Sequence, residues 1–315
     1  MKEARFSIDQ IPDLSSQVAL VTGGNRGIGL ETVRQLCLHG AKVFMACRDR
    51  RGSLDWIQSF KSSHPGAEVE FIHLDLADLE SVSACSQEVV RRTDRLDILI
   101  NNAGVMACPF EITKDGVEIQ FQVNHLGHFL LFKKLSELLD STGKVREGVG
   151  LGPSRVVNLS SLGHHFISLN PLTSPNFDSL PSVNRRMGAW LLGDYTRYSQ
   201  SKLCNILFSR ASNRLHPERS FRSLSVHPGL VSTDLYRHSG LWVRENLISR
   251  LFIQPLQGSI STLKAATDPS IHLGSEWDVY RGTYGLVNLQ SRDSKDLRLE
   301  DDLWRLSEAL VRPFL

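Results

Sequence analysis

The sequence predicts a doubly wound α/β fold, a mostly parallel sheet with helices on both faces. Three observations predict it. Short apolar runs rich in β-branched residues alternate with longer amphipathic stretches from Val18 to Val226, the pattern of repeated βαβ units. The runs are apolar along their length, as strands buried on both faces are. Turns containing Gly, Asn or Ser follow several of them directly, and in such sheets ligands bind at the carboxyl edge of the strands.

The first run, Val18 to Val21, reads as a strand. TGGNRGIG follows and opens a helix with Leu30, Val33, Leu36 and Cys37 on one face, stopping at Gly40. Lys42 to Ala46 is a second strand, and a polar helix runs to about Ser62. Glu68 to Leu74 is a third strand, and Leu79, Val82, Cys85 and Val89 mark the helix after it. Leu96 to Ile100 is a strand followed by NNAG, and the spacing predicts a long amphipathic helix from about Lys114 to Asp140. Arg155 to Leu159 is a strand followed by SSLG. Asp194 to Leu215 reads as a helix, and Phe221 to Val226 as a strand followed by HPG. Right-handed crossovers between these strands lay helices on both faces. Beyond Gly229 the pattern predicts a helix over Gly258 to Thr267, a short last strand over Gly282 to Val287, and a terminal helix in LRLEDDLWRLSEAL.

Two stretches break the rhythm. Gly163 to Gly193 is rich in Ser, Pro, Asn and Gly, and a loop this long inside a compact domain is usually functional or disordered. Asp234 to Pro255 is apolar yet follows a strand end, carrying Leu235, Tyr236, Leu241, Trp242, Leu247, Ile248 and Phe252. Residues 163–193 and 234–257 are therefore candidate substrate-pocket segments. Phe166, Ile167, Trp190, Leu191 and Leu192 of the first, with Tyr236, Leu241, Trp242 and Phe252 of the second, are candidate walls. Each reads equally well as ordinary core. His164 and His165 lack a further ligand cluster and read as loop residues.

The totals bound the rest. The chain has 315 residues, 41% hydrophobic and 22% charged, an ordinary globular composition. No internal repeat or low-complexity linker divides it, so one Rossmann-type domain over 1–315 is expected. With 36 basic and 34 acidic residues the net charge is +2, which gives no reason to expect a nucleic-acid partner. The five cysteines are odd in number and none stands in a CxxC pair, which argues against a disulfide framework or a metal site. The N-terminus lacks a signal-peptide apolar region, and no uninterrupted apolar run approaches the roughly 18 residues of a membrane span. The expectation is a cytoplasmic protein without a membrane anchor.

Chemistry concentrates at the strand ends. In TGGNRGIG, Gly23, Gly27 and Gly29 permit a tight turn and close backbone approach to a pyrophosphate. Asn25, Arg26 and Ile28 complete that turn, and the helix behind it offers free N–H groups and a positive dipole end. After the second strand, Cys47 stands about where an acidic residue would hold the ribose hydroxyls of NAD, and Arg48 follows. Arg48 and Arg26 suit a 2′-phosphate through planar paired donors, which favours NADP(H); Arg48 and Asp49 also fit a solvated helix start. Asp75, followed by Leu76, either accepts from the adenine amino group or caps the next helix. In NNAG, Asn102, Ala103 and Gly104 border the cofactor or form a plain turn.

The stretch Tyr198-Ser-Gln-Ser-Lys202 places a phenol and an ammonium on one helical face. An ammonium beside a phenol favours the phenolate, drawing its pKa down from about 10 toward neutrality and making a general acid/base for a carbonyl oxygen. Ser161 is placed to donate a hydrogen bond to the same oxygen, and Asn124 to relay water toward Lys202. Alone, a Tyr and Lys at this spacing would read as a surface pair. Their order behind Ser161 and the Gly-rich turn is what gives them meaning.

This set resembles the short-chain dehydrogenase/reductase family, in particular its retinol-dehydrogenase-like branch, over roughly residues 17 to 290. The resemblance rests on TGGNRGIG, NNAG, Asn124, Ser160-Ser161, YSQSK and His227-Pro-Gly229 in the family's order. It implies Tyr198 as acid/base, Lys202 as the group that lowers its pKa and holds the nicotinamide ribose, Ser161 as the substrate-orienting serine, and Asn124 as support for a proton relay. Tyr195 lacks a lysine four residues on. Pro228, Gly229 and Thr233 match the segment that holds the nicotinamide carboxamide, and Arg48 matches NADP-preferring members. Members often pair through the two helices flanking the active site, so a homodimer is one expectation. The function implied is NADP(H)-dependent reduction of an aldehyde or ketone, or oxidation of the matching alcohol, on a hydrophobic small molecule. Carbonyl reduction in secondary metabolism is the expected setting. A cofactor-binding scaffold or redox sensor with little turnover, and a same-fold epimerase or dehydratase, are the alternatives.

Overall fold

Seven parallel strands form one sheet in the order β3-β2-β1-β4-β5-β6-β7, in a computed structural model that describes residues 6–169, 173–188, 190–232, 235, 252–271, 280–281 and 290–315. The strands are β1 (Val18–Thr22), β2 (Lys42–Cys47), β3 (Val69–His73), β4 (Ile98–Asn101), β5 (Ser154–Leu159), β6 (Phe221–Val226) and β7 (Tyr280–Arg281). The chain runs outward from β1 to β3, then returns to place β4 beside β1, in register Ala19 with Ile98 and Val21 with Ile100. That reversal opens a crevice between β1 and β4 at their carboxyl ends. The expected last strand over 282–287 lies outside the described residues.

On one face, α1 (Gly27–Leu38), α2 (Arg50–Ser63) and α9 (Pro255–Thr267) pack over a core that includes Val21, Leu36, Val43, Ile100 and Leu263. On the other, α3 (Leu79–Arg92), α5 (Gly127–Gly148), α8 (Trp190–Leu215) and α10 (Leu297–Val311) enclose Leu20, Val89, Phe129, Phe208 and Trp304. Short helical turns α4 (Ile119–Phe121), α6 (His165–Leu169) and α7 (Leu180–Val183) lie between them. The strands are buried on both faces, which explains their unbroken apolar runs.

Element ends follow local chemistry. Asp49 caps α2 by accepting from the Gly52 N–H at 3.0 Å. Asp78 caps α3 through the N–H groups of Glu80 and Ser81 at 3.0 and 3.2 Å, so the capping role open to Asp75 belongs to Asp78. The long helix expected from Lys114 begins at Ile119 instead and runs on to Gly148, with a π-helical turn over Gln122–Leu126. Gly116 at φ 79° turns the chain just before it, and the Glu118 carboxylate caps the new start. α8 begins at Trp190 rather than Asp194, and α9 at Pro255 rather than Gly258. Among the described residues no helix is long and apolar enough to cross a membrane.

Candidate active site

The turn after β1 is built for close backbone approach. Gly23 and Gly27 sit in the left-handed region at φ 63° and 55°. A Cβ on Gly29 would lie 2.2 Å from the Gly23 carbonyl oxygen and 2.4 Å from Asn102 Nδ2, so only glycine lets α1 start against this turn. Thr22 ties it to the turn after β4: its Oγ1 accepts from the N–H groups of Asn102 and Ala103, each at 3.0 Å. Asn102 Nδ2 returns a bond to the Thr22 carbonyl at 2.7 Å.

A cavity of about 1510 Å³ opens over these strand ends. Gly23, Asn25, Arg26, Gly27, Ile28 and Gly29 line it from the first turn. Cys47 and Arg48 line it from the end of β2, Asp75 and Leu76 from β3, and Asn102, Ala103 and Gly104 from β4. Ser161, Tyr198, Lys202, Pro228 and Gly229 complete it beyond β5 and β6. Thr233 lies outside the described residues. The cleft follows the sheet order, and a Gly-lined helix N-terminus at the crevice fits a dinucleotide. Arg26 and Arg48 stand exposed at its mouth. Cys47 is buried with Sγ 3.0 Å from Ser53 Oγ. Asp49 also lines the cavity, and its Oδ1 caps α2.

At the other end three side chains converge. A Cβ on Gly163 would lie 3.3 Å from Ser161 Oγ and 3.4 Å from Tyr198 Cε1, so hydroxyl and ring border the same small space. Ser161 Oγ accepts from the Gly163 N–H at 3.0 Å, which leaves its hydrogen to be donated. Ser160 points inward, donating to the Lys202 carbonyl at 2.7 Å; the two serines of the pair thus have separate jobs. Lys202 Nζ lies 5.7 Å from the Tyr198 ring centre and donates to the Leu159 carbonyl at 2.9 Å. Burial pushes its pKa down to about 8. A charge held there favours the ionised form of any neighbouring acid.

Asn124, the residue expected to support a water relay, has its side-chain amide engaged by the protein. It sits fully buried in the π turn, an insertion frequent at functional sites. Its Oδ1 accepts from the Val105 N–H at 2.8 Å, and Nδ2 donates to the Val105 carbonyl and to Ser201 Oγ at 2.9 and 2.8 Å. The amide is spent bracing the chain after Gly104 against the neighbour of Lys202. Its backbone carbonyl accepts from His128 Nδ1 at 3.2 Å.

The expected pocket walls divide. Phe166 and Leu192 line the cavity, while Ile167 is buried in the core. Phe252 packs with Met106, Ala107 and Tyr198. Tyr236, Leu241, Trp242, Leu247, Ile248 and the side chains of Trp190 and Leu191 lie outside the described residues. Leu235, from the second expected segment, lines the cavity too, and Met106, Ile119, Val123 and Tyr195 add wall surface that sequence reasoning did not assign. It also missed Thr22 and His128. The imidazole donates from Nδ1 to Asn124, so Nε2 accepts from the Thr22 hydroxyl at 2.8 Å. The i, i+4 spacing of Asn124 and His128 was the available signal.

The short chain dehydrogenase family model matches residues 17–165. An uncharacterised oxidoreductase of Schizosaccharomyces pombe is 35% identical over 271 residues, covering 85% of this chain and 77% of that protein. The chloroplastic short-chain dehydrogenase TIC 32 A of Brassica napus is 34% identical over 305 residues, 95% of this chain and 90% of its own. Among solved structures, an uncharacterised protein from Mycobacterium paratuberculosis superposes with a TM-score of 0.73 at 30% identity, covering 98% of each chain.

Proposed function

The chain belongs to the short-chain dehydrogenase family, and from that premise we propose that it moves hydride between NADP(H) and a carbonyl or alcohol carbon of a hydrophobic small molecule. The observation that carries this is the meeting of Ser161, Tyr198 and buried Lys202 at one end of a cleft whose other end has a Gly-rich turn. The cofactor, when bound, supplies the hydride for reduction or accepts it in oxidation. Ser161 donates its hydroxyl hydrogen to the substrate oxygen and orients the carbonyl. Tyr198 gives that oxygen a proton as charge develops on it, and the Lys202 ammonium stabilises the phenolate left behind. Two of the three Lys202 N–H donors are beyond its bond to Leu159, and they suit ribose hydroxyls. Met106, Val123, Phe166, Leu192 and Leu235 on the cavity wall favour an apolar substrate and keep water from the reacting carbon. Arg26 and Arg48 at the mouth, with a thiol at Cys47 instead of a carboxylate, support the phosphorylated cofactor.

The test is NADPH oxidation by the purified protein with a panel of apolar aldehydes and ketones, NADH and Tyr198→Phe being run in parallel. Tyr198→Phe is expected to lose roughly 10²–10⁴-fold in kcat with NADPH affinity intact. Turnover that survives the substitution rules out the tyrosine assignment, and equal use of NADH rules out the arginine argument. Tight NADPH binding with no oxidation would favour a scaffold, and product formation without net cofactor consumption an epimerase or dehydratase.

A further inference from the structure

His164 follows the substrate-orienting serine by three residues, and the proposed reaction does not use it. It is fully buried, where the sequence reading left a loop residue. The Ser291 backbone N–H donates to His164 Nε2 at 3.1 Å. That nitrogen is therefore the acceptor, and the ring hydrogen sits on Nδ1, 2.6 Å from the Ser161 carbonyl oxygen. The same carbonyl accepts from the His164 backbone N–H at 3.1 Å. Burial drops the imidazole pKa to about 4, so one neutral tautomer persists through the neutral range.

The turn that this ring closes is the one that aims Ser161. Ser161 is extended at φ −155° and ψ 149° and caps the short helical turn Leu162–His164, its Oγ accepting from the Gly163 N–H. A second imidazole supports the turn, since the Leu162 N–H donates to His227 Nδ1 at 3.3 Å. Ser291 is itself anchored: the Ser294 N–H donates to its Oγ at 3.3 Å, and Ser294 Oγ donates to its carbonyl at 2.7 Å. The segment leading into α10 thus reaches the catalytic serine through one histidine.

We propose that His164 is a positioning residue for carbonyl reduction, its Nδ1–H, fixed by the Ser291 backbone, holding Ser161 so that the hydroxyl donates to the substrate oxygen beside Tyr198. This rests on the reductase reading above. A flexible Ser161 would still bind cofactor but would present its donor in the reactive geometry for less of the time, which costs rate more than affinity.

The test compares His164→Leu and His164→Asn with the unmodified protein, measuring kcat, carbonyl KM, NADPH Kd and melting temperature. An asparagine amide carries a donor close to the position of Nδ1, whereas leucine carries none. Expected is a kcat loss of roughly tenfold or more for His164→Leu with NADPH Kd unchanged, and recovery of much of it in His164→Asn. A kcat per folded molecule that His164→Leu leaves unchanged, whatever the melting temperature does, overturns the proposal. So does equal loss in both variants. A histidine ¹⁵N spectrum showing His164 protonated on Nε2 at neutral pH overturns it without any assay. If the unmodified protein turns over no carbonyl, the reductase reading fails first and takes this inference with it; turnover that depends on Tyr198 but ignores His164 removes this inference alone.

Discussion

Lys202 is a buried cation that, among the described residues, meets the Leu159 carbonyl and the Tyr198 ring but no carboxylate. Its pKa falls from 10.5 to about 8 because burial penalises the charge. The folded protein thus gives up this proton near pH 8, and the unfolded chain holds it to about 10.5. Between those values the unfolded state binds more protons, so this residue makes stability rise with pH. At pH 7 its charge is a cost the fold bears for function. Lys202→Met removes that cost and leaves the Leu159 carbonyl satisfied by Asn205 Nδ2 at 2.9 Å. The variant is expected to be inactive and more stable at pH 7 by about 1–3 kcal/mol in urea unfolding. The margin should shrink as the pH approaches 10. A variant less stable at pH 7 would show that the charge is compensated within the fold.

The same opposition between buried charge and geometry sets the start of the α4–α5 helix. Glu118 and Arg197 form an ion pair at 3.1 Å with side chains only 1% and 2% exposed. Glu118 also caps α4 through the N–H groups of Gln120 and Phe121 at 3.0 and 2.9 Å, and its N–H donates to Asn184 Oδ1 at 2.8 Å. Arg197, next to Tyr198, bonds the Arg186 carbonyl and Asp194. Gln120 bridges the Ala107 N–H and the Asp194 carbonyl at 2.9 and 3.0 Å. One polar hub therefore fastens the pocket wall at Met106–Ala107, the 184–194 segment and the tyrosine helix together. Burial already pushes the Glu118 pKa up to about 7 with Arg197 beside it. Arg197→Met is therefore expected to cost about 3–5 kcal/mol above neutral pH, where the charge is stranded, and less at acid pH, where the carboxyl is protonated. Glu118→Gln added to it should restore most of that. Urea unfolding of the single and double variants checks this. No recovery in the double variant would mean that Arg197 acts through packing or its other bonds. The hub also shows where sequence reading stopped. The Tyr198–Lys202 face, Ser161 and the Gly-rich turn were legible because their meaning lies in spacing along one element and in position at a strand end. Glu118 and Arg197 are 79 residues apart, and the helix boundary between Lys114 and Ile119 depends on that tertiary pairing. Lys114 pairs instead with Asp78, the cap of α3. His164 was misread for the same reason, its partner Ser291 being 127 residues away.

At the scale of the whole molecule, the C-terminal helix decides which surfaces remain for a partner. α10 lies across α5 and α8, the helices on which the homodimer expected from the sequence would have to be built. Trp304 on α10 stands edge-on to Phe129 of α5 at 5.0 Å and stacks with Phe208 of α8 at 6.2 Å. Lys133 pairs with Glu308 at 2.8 Å, Arg210 and Arg214 converge on the buried Glu300 at 3.3 and 2.5 Å, and Ser307 bonds His125 in the π turn at 2.8 Å. These contacts give α5 and α8 an apolar and ionic cover from within the chain. We expect no homodimer built on these two helices. Light scattering behind size exclusion, read with hydrogen exchange at micromolar concentration, should show no association that protects these two helices. A dimer whose hydrogen-exchange protection falls on α5 and α8 would contradict this. Trp304→Ala should cost about 3–5 kcal/mol, because it opens a cavity between three helices. If α10 stands in for a partner, loosening it bares the pairing face, and the same variant should begin to self-associate as concentration rises. Destabilisation with no concentration dependence would mean that α10 is only core, and that the faces beneath it are not complementary to a second copy.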